Sequence, residues 1–568
     1  MKTAWSICMV VALVVPFTVS AADAPLSDKL PASTMLYVGW AGTQNNAFQG
    51  SMFGQLLQEP AARKIWDSFQ KAANQSPDLR AVAGLALAEF LAKHPVAVAV
   101  TDVQIKDNSF RFAPIPKVVL LVDLGKDKRQ FAETLDLLLG FAPDLADHCV
   151  EATVGGQAFT VFQPEEDVTF AWGYEGNLFI VGINGGEKDV VGIKQADSLA
   201  AAKPFAAAMK AVAPSPAQCA YFVDIKRVVQ MVDAWEQQHV VDIQSGESAP
   251  QVQKSLGALG LEKVTMLVGA MSVADKGLLS RCKIFSPAPH RGLLAVFNGK
   301  PLTPADLAAL PADSDFACMA RVDLANILAR IKEIGSVLTP DAVEQINAGL
   351  NGIRQETGID VEKDLLASLG DTWSLTMAPS QGGMFTGVCA TVSIKDAKKL
   401  QETIDKIETL VRKEREFAMG LSRIDRAKFG EMDVRYVSMP VMPIAPAWGI
   451  YKDRLYVALW PQVVASAART SGEQPGKLTD HKGFAAGLSH MSPKPMYVSF
   501  VNTPQLIRPF YGAAMIGWTM TMSYAQNMGL SPADLPTMGQ IEKYLWPSVS
   551  AISLDDGGLM FESYSSLP

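Results

Sequence analysis

The sequence predicts an α+β protein made of two similar, duplicated domains, each a mostly antiparallel sheet covered by helices. Three observations carry this prediction. Short strand-like runs follow one another in hairpin succession, amphipathic helical segments separate some of them, and the second half of the chain repeats the order of the first. The length of 568 residues also exceeds the roughly 250–300 residues that one hydrophobic core usually serves.

The chain carries strand-like runs of two kinds. Val96–Val100 and Val118–Val122 are continuous, apolar and rich in β-branched residues, which predicts strands buried on both faces. In the second half, the run TWSLTMA alternates large apolar residues with smaller or polar ones and places Trp373, Leu375 and Met377 on one side. This alternation predicts a strand with one face wetter than the other.

Helices and tight turns connect these runs. Apolar residues recur at helical spacing, opposite a charged side, at Leu400, Ile404, Ile407 and Val411. Near the C-terminus, Asp556-Gly557 separates two alternating runs and predicts a tight hairpin turn. Successive hairpins indicate antiparallel pairing, and the helices are expected to cover a face of the sheet.

The chain repeats itself at a long interval. Five segments of the first half recur in the same order 270 to 280 positions later. The matched segments begin at Leu30 and Leu310, Val118 and Val388, Ala171 and Ala447, Ser198 and Lys477, and Ala220 and Met496. The repeats of solenoid proteins are only about 20–50 residues long, so this interval predicts two similar domains.

The predicted domains are residues 22–305 and 306–568, after a signal peptide at residues 1–21. Their boundary falls in the proline-containing stretch FNGKPLTPADLAALP. A register slip of one residue would turn a strand's apolar face to water, so large apolar residues should match between the repeats. The pairs expected to superimpose are Val118 and Val388, Trp172 and Trp448, and Tyr221 and Tyr497.

The N-terminus has the three parts of a secretory signal. Lys2 provides the positive charge, Ala4–Val15 a short apolar segment, and Val19-Ser20-Ala21 a cleavage site of small residues. The apolar segment is shorter than the roughly 20 residues that a membrane span requires. We therefore expect an exported protein, periplasmic or extracellular, that is cleaved near Ala21-Ala22 and has no transmembrane span in the mature chain.

The composition excludes two classes of protein. Hydrophobic residues make up 49% of the chain, which is too many for a disordered protein. The 50 basic and 58 acidic residues give a net charge of −8 and are spread evenly. This distribution excludes a nucleic-acid binder that works by neutralising phosphates.

The cysteines fit neither a disulfide scaffold nor a zinc ribbon, because they are few and far apart. After the predicted cleavage they are Cys149, Cys219, Cys282, Cys318 and Cys389. Cys219, Cys318 and Cys389 lie in apolar, strand-like runs, so we expect them to be buried small hydrophobic residues. An oxidising compartment leaves room for one or two disulfides.

The sequence contains no recognisable reactive constellation: it has no P-loop, no G-x-S-x-G elbow and no H-E-x-x-H. Asp360 is predicted to cap a helix rather than to act with Asp371 as an acid–base pair. Met439 and Met442 resemble thioether copper ligands in spacing, but two thioethers alone favour a packing role. We therefore predict no catalytic, cofactor-binding or metal-ligating residue and no cofactor. The sequence favours a protein without enzymatic activity but does not settle the point.

An uncharged segment lies between Arg508 and Asp534. It is rich in small and polar residues, so we predict a helix over Pro509–Ala533 that packs on protein rather than crossing a membrane. Residues at i, i+3 and i+7 form one stripe of this helix, namely Met515, Trp518 and Met522. The alternative interpretation makes this stripe an apolar contact surface.

Several phrases carry a family resemblance, among them GLLAVFNGKPLTPADLAALPADSDF, TGIDVEKDLLASLGD, VTFAWGYEGNLFIVG and the ending LPTMGQIEKYLWPSVSAISLDDGGLMFESYSSLP. The chain resembles the large secreted bacterial proteins grouped under a domain of unknown function (number 3352) and their relatives. The resemblance covers most of the mature chain. It implies an exported, duplicated α+β architecture, and it brings no established activity, cofactor or catalytic residue.

Three functions of different class remain open on the sequence. The first is an exported, non-enzymatic protein that binds a protein partner or an envelope component, since no reactive constellation is recognisable. The second is a carrier of apolar ligands, which the positive mean hydropathy of +0.14 and the uncharged segment favour. The third is an unrecognised hydrolase whose active site is assembled from scattered residues. The oligomeric state stays open.

Overall fold

Helices and antiparallel strands make up the computed structural model, and the predicted α+β class is confirmed. The structure describes residues 24–43, 48–49, 51–74, 79–105, 114–140, 148–165, 168–213, 216–239, 252–275, 277–383, 386–414, 417, 419–439, 443–473, 476–525 and 536–566. The predicted signal peptide and its cleavage site at Ala21-Ala22 lie outside the described residues.

The chain divides into two units, and each contains a set of antiparallel strands. The first unit comprises Met1–Glu247, Thr265–Ile284 and Ala514–Tyr544, and the second comprises Ser248–Val264, Phe285–Ala513 and Leu545–Pro568. Each unit thus takes in a segment from the other half of the sequence. The boundary predicted between the two sequence repeats, at residues 305 and 306, stays a prediction.

The strands of the first unit form an antiparallel sheet. They are β1 (Leu36–Ala41), β2 (Pro95–Ile105), β3 (Pro114–Asp123), β4 (Cys149–Val154), β5 (Gln157–Glu165), β6 (Val168–Glu175), β7 (Leu178–Ile183), β8 (Ala217–Val223), β9 (Met266–Ala274) and β10 (Gly277–Phe285). Their order across the sheet is β4-β5-β6-β7-β3-β2-β1-β8-β9-β10, and the pairs from β4 to β9 are antiparallel.

Helices cover both faces of this sheet. They are α1 (Met52–Gln58), α2 (Pro60–Asn74), α3 (Leu79–Lys93), α4 (Lys128–Gly140), α5 (Gly186–Val190), α6 (Lys203–Val212) and α7 (Ile225–His239). On one face, α4 buries Phe131 completely between Phe90 of α3 and Phe179 of β7. On the other face, Phe205 of α6 packs edge-on against Phe222 of β8, with 5.2 Å between ring centroids.

The strands of the second unit form a second antiparallel sheet. They are β11 (Phe316–Arg321), β12 (Leu369–Met377), β13 (Val388–Ile394), β14 (Arg423–Phe429), β15 (Met432–Ser438), β16 (Ala447–Tyr451), β17 (Arg454–Ala458), β18 (Tyr497–Val501), β19 (Ser548–Asp555) and β20 (Gly558–Ser566). Their order is β14-β15-β16-β17-β13-β12-β11-β18-β19-β20. The predicted turn at Asp556-Gly557 is confirmed, since it joins β19 to β20 with Asp555 opposite Gly558.

The helices of the second unit begin with one from the first half of the sequence, α8 (Val252–Leu259). The others are α9 (Pro304–Leu307), α10 (Leu324–Leu338), α11 (Pro340–Thr357), α12 (Ala397–Val411), α13 (Pro461–Glu473), α14 (Lys482–Ser489) and α15 (Thr503–Ala525), the last divided between the units after Ala513. The helical period predicted around Leu400 is confirmed by α12. This helix begins after Asp396, whose side chain accepts a hydrogen bond from Lys399 N at 3.0 Å, and it buries Leu400 fully.

Short helical turns complete the chain. A π-helical turn covers Val361–Leu365. Turns of 3-10 helix lie at Ser27–Lys29, Gly125–Asp127, Gln195–Asp197, Leu199–Ala201, Leu261–Lys263, Leu294–Phe297, Leu366–Ser368, Pro379–Gln381 and Leu478–Asp480.

The two continuous apolar strands β2 and β3 have one face that is fully buried and a second face that is covered less evenly, on which Val122 is fully buried, so the prediction of burial on both faces is confirmed in part. Ala97 and Ala99 of β2 are fully buried, whereas Val98 between them is half-buried. In β3, Leu121 is fully buried and its neighbour Leu120 is half-buried. Continuous hydrophobicity therefore marks a second apolar face that is covered incompletely.

The carboxylate of Glu59 contacts a late segment of the chain that belongs to the first unit. Glu59, between α1 and α2, accepts a hydrogen bond from Tyr544 Oη and pairs with Lys543 Nζ. Both groups directly follow α16 (Met538–Glu542). The hydrogen bonds from Lys543 and Tyr544 lower the pKa of Glu59. The contact therefore joins two parts of the first unit that are 485 residues apart in sequence.

We expect Glu59→Ala to speed amide hydrogen exchange in residues 538–544, because the substitution removes both side-chain contacts to Lys543 and Tyr544. Exchange in β1 should stay unchanged. Hydrogen exchange followed by mass spectrometry measures both. Glu133→Ala is the matched control, since Glu133 pairs with Arg129 on an exposed side of α4. Unchanged exchange at residues 538–544 in Glu59→Ala would show that Glu59 does not hold this segment.

Candidate functional site

Four neighbouring strands of the second unit bring apolar side chains into one row. Cys318 on β11 lies opposite Leu375 on β12, Leu375 lies opposite Ala390 on β13, and Ala390 lies opposite Val457 on β17. Residues directly opposite each other share one face of an antiparallel sheet, with Cβ atoms about 4.5–5.5 Å apart. Leu375 is 37% exposed and Val457 is 44% exposed. We call this row of four residues the apolar sheet face.

The strand β12 is patterned with its polar residues inside. Ser374 and Thr376 are buried, whereas Leu375 between them is exposed. The buried hydroxyls are satisfied, since Ser374 Oγ shares a hydrogen bond of 2.6 Å with Thr391 Oγ1, and Thr376 Oγ1 donates to Gln381 Oε1 at 3.2 Å. The more solvent-exposed face of β12, which the alternation in TWSLTMA predicts, is therefore the face that carries the large apolar residues.

A helix covers one end of this side of the sheet. Leu400 of α12 packs with Val392 of β13, and Trp373 and Leu455 pack against the same cluster. Two residues further along their strands, Leu375 and Val457 are left exposed. The amphipathic helix α12 thus shows what kind of surface this side of the sheet accepts.

A pocket lies beside the β14–β15 hairpin of the second unit, with a volume of about 530 Å³. Its lining includes Met439, Leu421, Ile444 and Trp460. The charge of Arg423 at this pocket is balanced, since its Nε lies 3.4 Å from Asp425 Oδ2. We call this the Trp460 pocket. Its volume lies in the range of small-molecule sites, and its lining combines these apolar side chains with Arg423 and Ser438.

One of the two methionines singled out for their thioether spacing lines this pocket. Met439 contributes to the wall, and Met442 lies outside the described residues. No group of three His, Cys, Asp or Glu side chains that could hold a metal ion occurs in the part of the chain that the structure describes.

The uncharged segment begins as predicted within a helix, α15, which extends to Ala525. Residues 526–533 of the predicted helix lie outside the described residues, as do the side chains of Trp518 and Met522. Met515 is half-buried, and Ile516 and Met520 on other sides of the helix are 62% and 75% exposed. The contact stripe of Met515, Trp518 and Met522 stays a prediction. Of the helices described, none is long and apolar enough to cross a membrane.

Burial lowers the reactivity of three cysteine thiols. It raises the pKa of Cys219 to about 11 and that of Cys389 to about 12, and it also raises the pKa of Cys318. Such thiols stay protonated at neutral pH and are weak nucleophiles. Among the described residues there are five cysteines, and none of them forms a disulfide.

The acidic residues considered for acid–base chemistry have structural partners. Asp360 Oδ1 accepts a hydrogen bond from Lys363 N at 3.0 Å, which confirms the predicted capping role. Asp371 Oδ1 accepts from Arg321 Nη1 at 2.9 Å. The two carboxylates are therefore engaged separately.

Part of the chain is similar to an uncharacterised protein family. Residues 189–429, from α5 to the end of β14, match the family described as Protein of unknown function (DUF3352). This match confirms the family resemblance inferred from the sequence over residues 189–429, and the resemblance of the other segments stays a prediction. No curated protein and no solved structure matches the chain.

Proposed function

We propose that this chain is an exported, non-enzymatic protein that binds a protein partner of the cell envelope through the apolar sheet face. The observation that carries the proposal is the exposure of Leu375 on β12 and of Val457 on β17, which belong to one continuous apolar row. On β12, the polar residues lie on the opposite, buried side. Export is proposed from the signal peptide at residues 1–21.

Burial by a partner would bring a free-energy gain that the isolated sheet lacks. Completing the burial of Leu375 and Val457 is worth on the order of 1 kcal/mol each, since fully burying such a side chain contributes about 1.5–3 kcal/mol. The neighbouring helix α12 already packs on this side of the sheet through Leu400. A partner that presents an apolar helical stripe would continue this packing across Leu375 and Val457.

We also propose that the two sheets are duplicated domains. Numbered from its own first strand, each sheet has the order 4-5-6-7-3-2-1-8-9-10. Hydrogen bonds before the first strand of each sheet also correspond. Thr34 Oγ1 donates to Pro31 O, and Ser314 Oγ donates to Pro311 O, both at 2.7 Å. Likewise, Met35 N donates to Val100 O, and Asp315 N donates to Met377 O, both at 2.8 Å.

Strand register supports two of the three residue pairs proposed for superposition and shifts the third. Trp172 lies opposite Val181 and Trp448 opposite Val457, at the corresponding places in β6 and β16. Leu120 pairs with Val181 as Ala390 pairs with Val457, which is consistent with Val118 and Val388. Tyr221 lies opposite Val38, however, and Ser499 lies opposite Cys318, so Tyr221 aligns with Ser499, two residues from Tyr497. A shift of two residues keeps the same face of the strand.

The partner proposal is tested by site-specific photocrosslinking in the living cell. A photoreactive amino acid at position 375 or 457 should give one discrete protein adduct, because both positions lie in the exposed row. The same amino acid at position 137, which is 56% exposed in the first unit, is the control and should give none. Adding Asp at position 375 to the variant labelled at 457 should abolish the adduct, because a partner would have to desolvate the charge.

Loss of the adduct supports the proposal only if the Leu375→Asp variant is folded. Leu375→Asp should shift the melting temperature by no more than a few degrees, since Leu375 is already partly exposed. The proposal fails if positions 375 and 457 give no adduct, or if they give the same adducts as position 137.

The Trp460 pocket favours a second function, the transport of apolar ligands. Its volume of about 530 Å³ and its lining by Met439, Leu421 and Ile444 suit a small apolar molecule. Native mass spectrometry of the protein from its own envelope separates the two functions. A co-purifying small apolar molecule that is lost in a Met439→Asp variant would support a carrier, and a co-purifying protein would support the partner proposal.

A further inference from the structure

A cleft in the first unit, separate in its chemistry from the apolar sheet face, is lined by both acidic and basic side chains. Its volume is about 520 Å³, within the range of small-molecule sites. The charged residues of the lining are Asp102, Lys117, Asp189 and Arg227, and Met35 and Met231 supply apolar surface. We call this the charged cleft.

One end of the charged cleft carries an excess of negative charge. Lys117 Nζ lies 3.5 Å from Asp189 Oδ1 and 3.9 Å from Asp102 Oδ2, so one ammonium group serves two carboxylates. Asp189 Oδ2 also accepts a hydrogen bond of 2.7 Å from Thr101 Oγ1, which fixes this carboxylate in place. Asp102 is the more loosely held of the two, and its side chain is 57% exposed. This end is therefore suited to bind a second cation.

Another part of the lining carries positive charge that the protein leaves uncompensated. Arg227, in the first turn of α7, donates from its guanidinium to the carbonyl oxygen of Ser33. A carbonyl oxygen orients the guanidinium without neutralising it, and no carboxylate among the described residues forms an ion pair with Arg227. Asp224 precedes the helix, and its Oδ1 accepts from the backbone N of Arg227 at 2.9 Å. A guanidinium held in this way is suited to bind a carboxylate or a phosphate.

We propose that the charged cleft binds a small zwitterion, a molecule that carries an ammonium group and a carboxylate or phosphate. The ammonium group pairs with Asp102 and Asp189, and the anionic group pairs with Arg227. Met35 and Met231 contact the carbon skeleton between or beside the charges. An ion of a single sign meets only one of the two complementary groups and is repelled by the other, so the cleft selects for molecules that carry both charges. Amino acids, short peptides and the ethanolamine headgroup of a phospholipid share this chemistry.

Isothermal titration calorimetry on the mature, full-length protein tests this proposal with two probes. Alanylalanine represents free amino compounds, and glycerophosphoethanolamine represents the lipid headgroup. We expect at least one of them to bind with a Kd of about 1 mM or tighter. Binding of the first alone identifies amino acids or peptides as the ligand class, and binding of the second alone identifies the headgroup.

Single-charge analogues and variants provide the controls. N-acetyl-alanylalanine, alanylalanine amide and the phosphodiester glycerophosphoglycerol should each bind about tenfold more weakly than their parent zwitterions, because each lacks one of the two charged groups. Arg227→Gln and Asp102→Asn should each weaken zwitterion binding by about tenfold, with thermal unfolding checked in both. Arg129→Gln is the matched control and should bind as the wild type does, since Arg129 is 93% exposed on α4 and pairs with Glu133.

Three results would overturn the proposal. One is the absence of binding of both zwitterions up to about 10 mM, well above the Kd expected. Another is equal affinity for the single-charge analogues. The last is unchanged affinity in a folded Arg227→Gln or Asp102→Asn variant.

Discussion

Replacing Phe131 with alanine is expected to lower the free energy of unfolding of the first unit by about 3–5 kcal/mol. The Phe131 side chain is fully buried, and its ring centroid lies 5.5 Å from that of Phe90 and 4.8 Å from that of Phe179. Alanine would remove the ring from the centre of a cluster whose helix and strand partners are fixed, so a cavity would remain. Urea denaturation followed by circular dichroism measures the change.

The matched control lies on the same helix. Leu137 of α4 is 56% exposed, so Leu137→Ala should change the free energy of unfolding by only about 0.5 kcal/mol. Two units can unfold in separate steps, so the comparison uses the transition that Phe131→Ala shifts. Equal effects of the two substitutions would contradict the placement of Phe131 at the centre of this core.

Arg321→Met is expected to destabilise the second unit by about 2–3 kcal/mol, less than the 3–5 kcal/mol typical of breaking a fully buried ion pair. The Arg321 side chain is 17% exposed, and its two terminal nitrogens each lie 2.9 Å from a carboxylate, one of Asp306 and one of Asp371. Methionine keeps the length of the side chain but leaves both carboxylates without their cation. Arg129→Met, at a 93% exposed site, is the control and should change the stability by less than about 0.5 kcal/mol.

The pH dependence of this effect has a definite sign. Burial alone would raise the pKa of Asp306, but the hydrogen bonds from Thr303 and the charge of Arg321 outweigh it and lower the pKa. A carboxylate whose pKa is lower in the folded state adds stability above its unfolded pKa of about 3.9, and this stability is lost as the pH falls through the folded pKa. The difference between wild type and Arg321→Met should therefore be constant near neutral pH and shrink below about pH 4. A difference that grows on acidification would contradict the assignment.

Local patterns in the sequence were sufficient to predict some elements of the fold. The helical period at Leu400 and the Asp556-Gly557 turn are confirmed, because each depends on residues close together in the chain. The capping role of Asp360 is confirmed for the same reason. The membership of Ala514–Tyr544 in the first unit could not be predicted, because it depends on Glu59 meeting Lys543 and Tyr544 from a distant part of the chain.

The apolar sheet face was visible in the sequence only as an alternation. TWSLTMA correctly separates two faces of β12, but an alternating pattern does not say which face is buried. Large apolar residues normally mark the inner face of a strand. Here the inner face carries the hydroxyls of Ser374 and Thr376, and their hydrogen bonds offset the cost of burying them. The charged cleft had no such signal, since Asp102, Lys117, Asp189 and Arg227 lie on two strands and two helices and come together only in the folded unit.

The division of each unit between distant parts of the sequence sets the order in which this protein can fold. Glu59 emerges early, yet its partner Tyr544 follows 485 residues later. At a synthesis rate of about 5–20 residues per second, this interval lasts roughly 25–100 s. Throughout it, the first unit lacks the segment Ala514–Tyr544 and cannot reach its final fold. A chaperone that protects the early part of the chain until the late part is synthesised would therefore help this protein to fold.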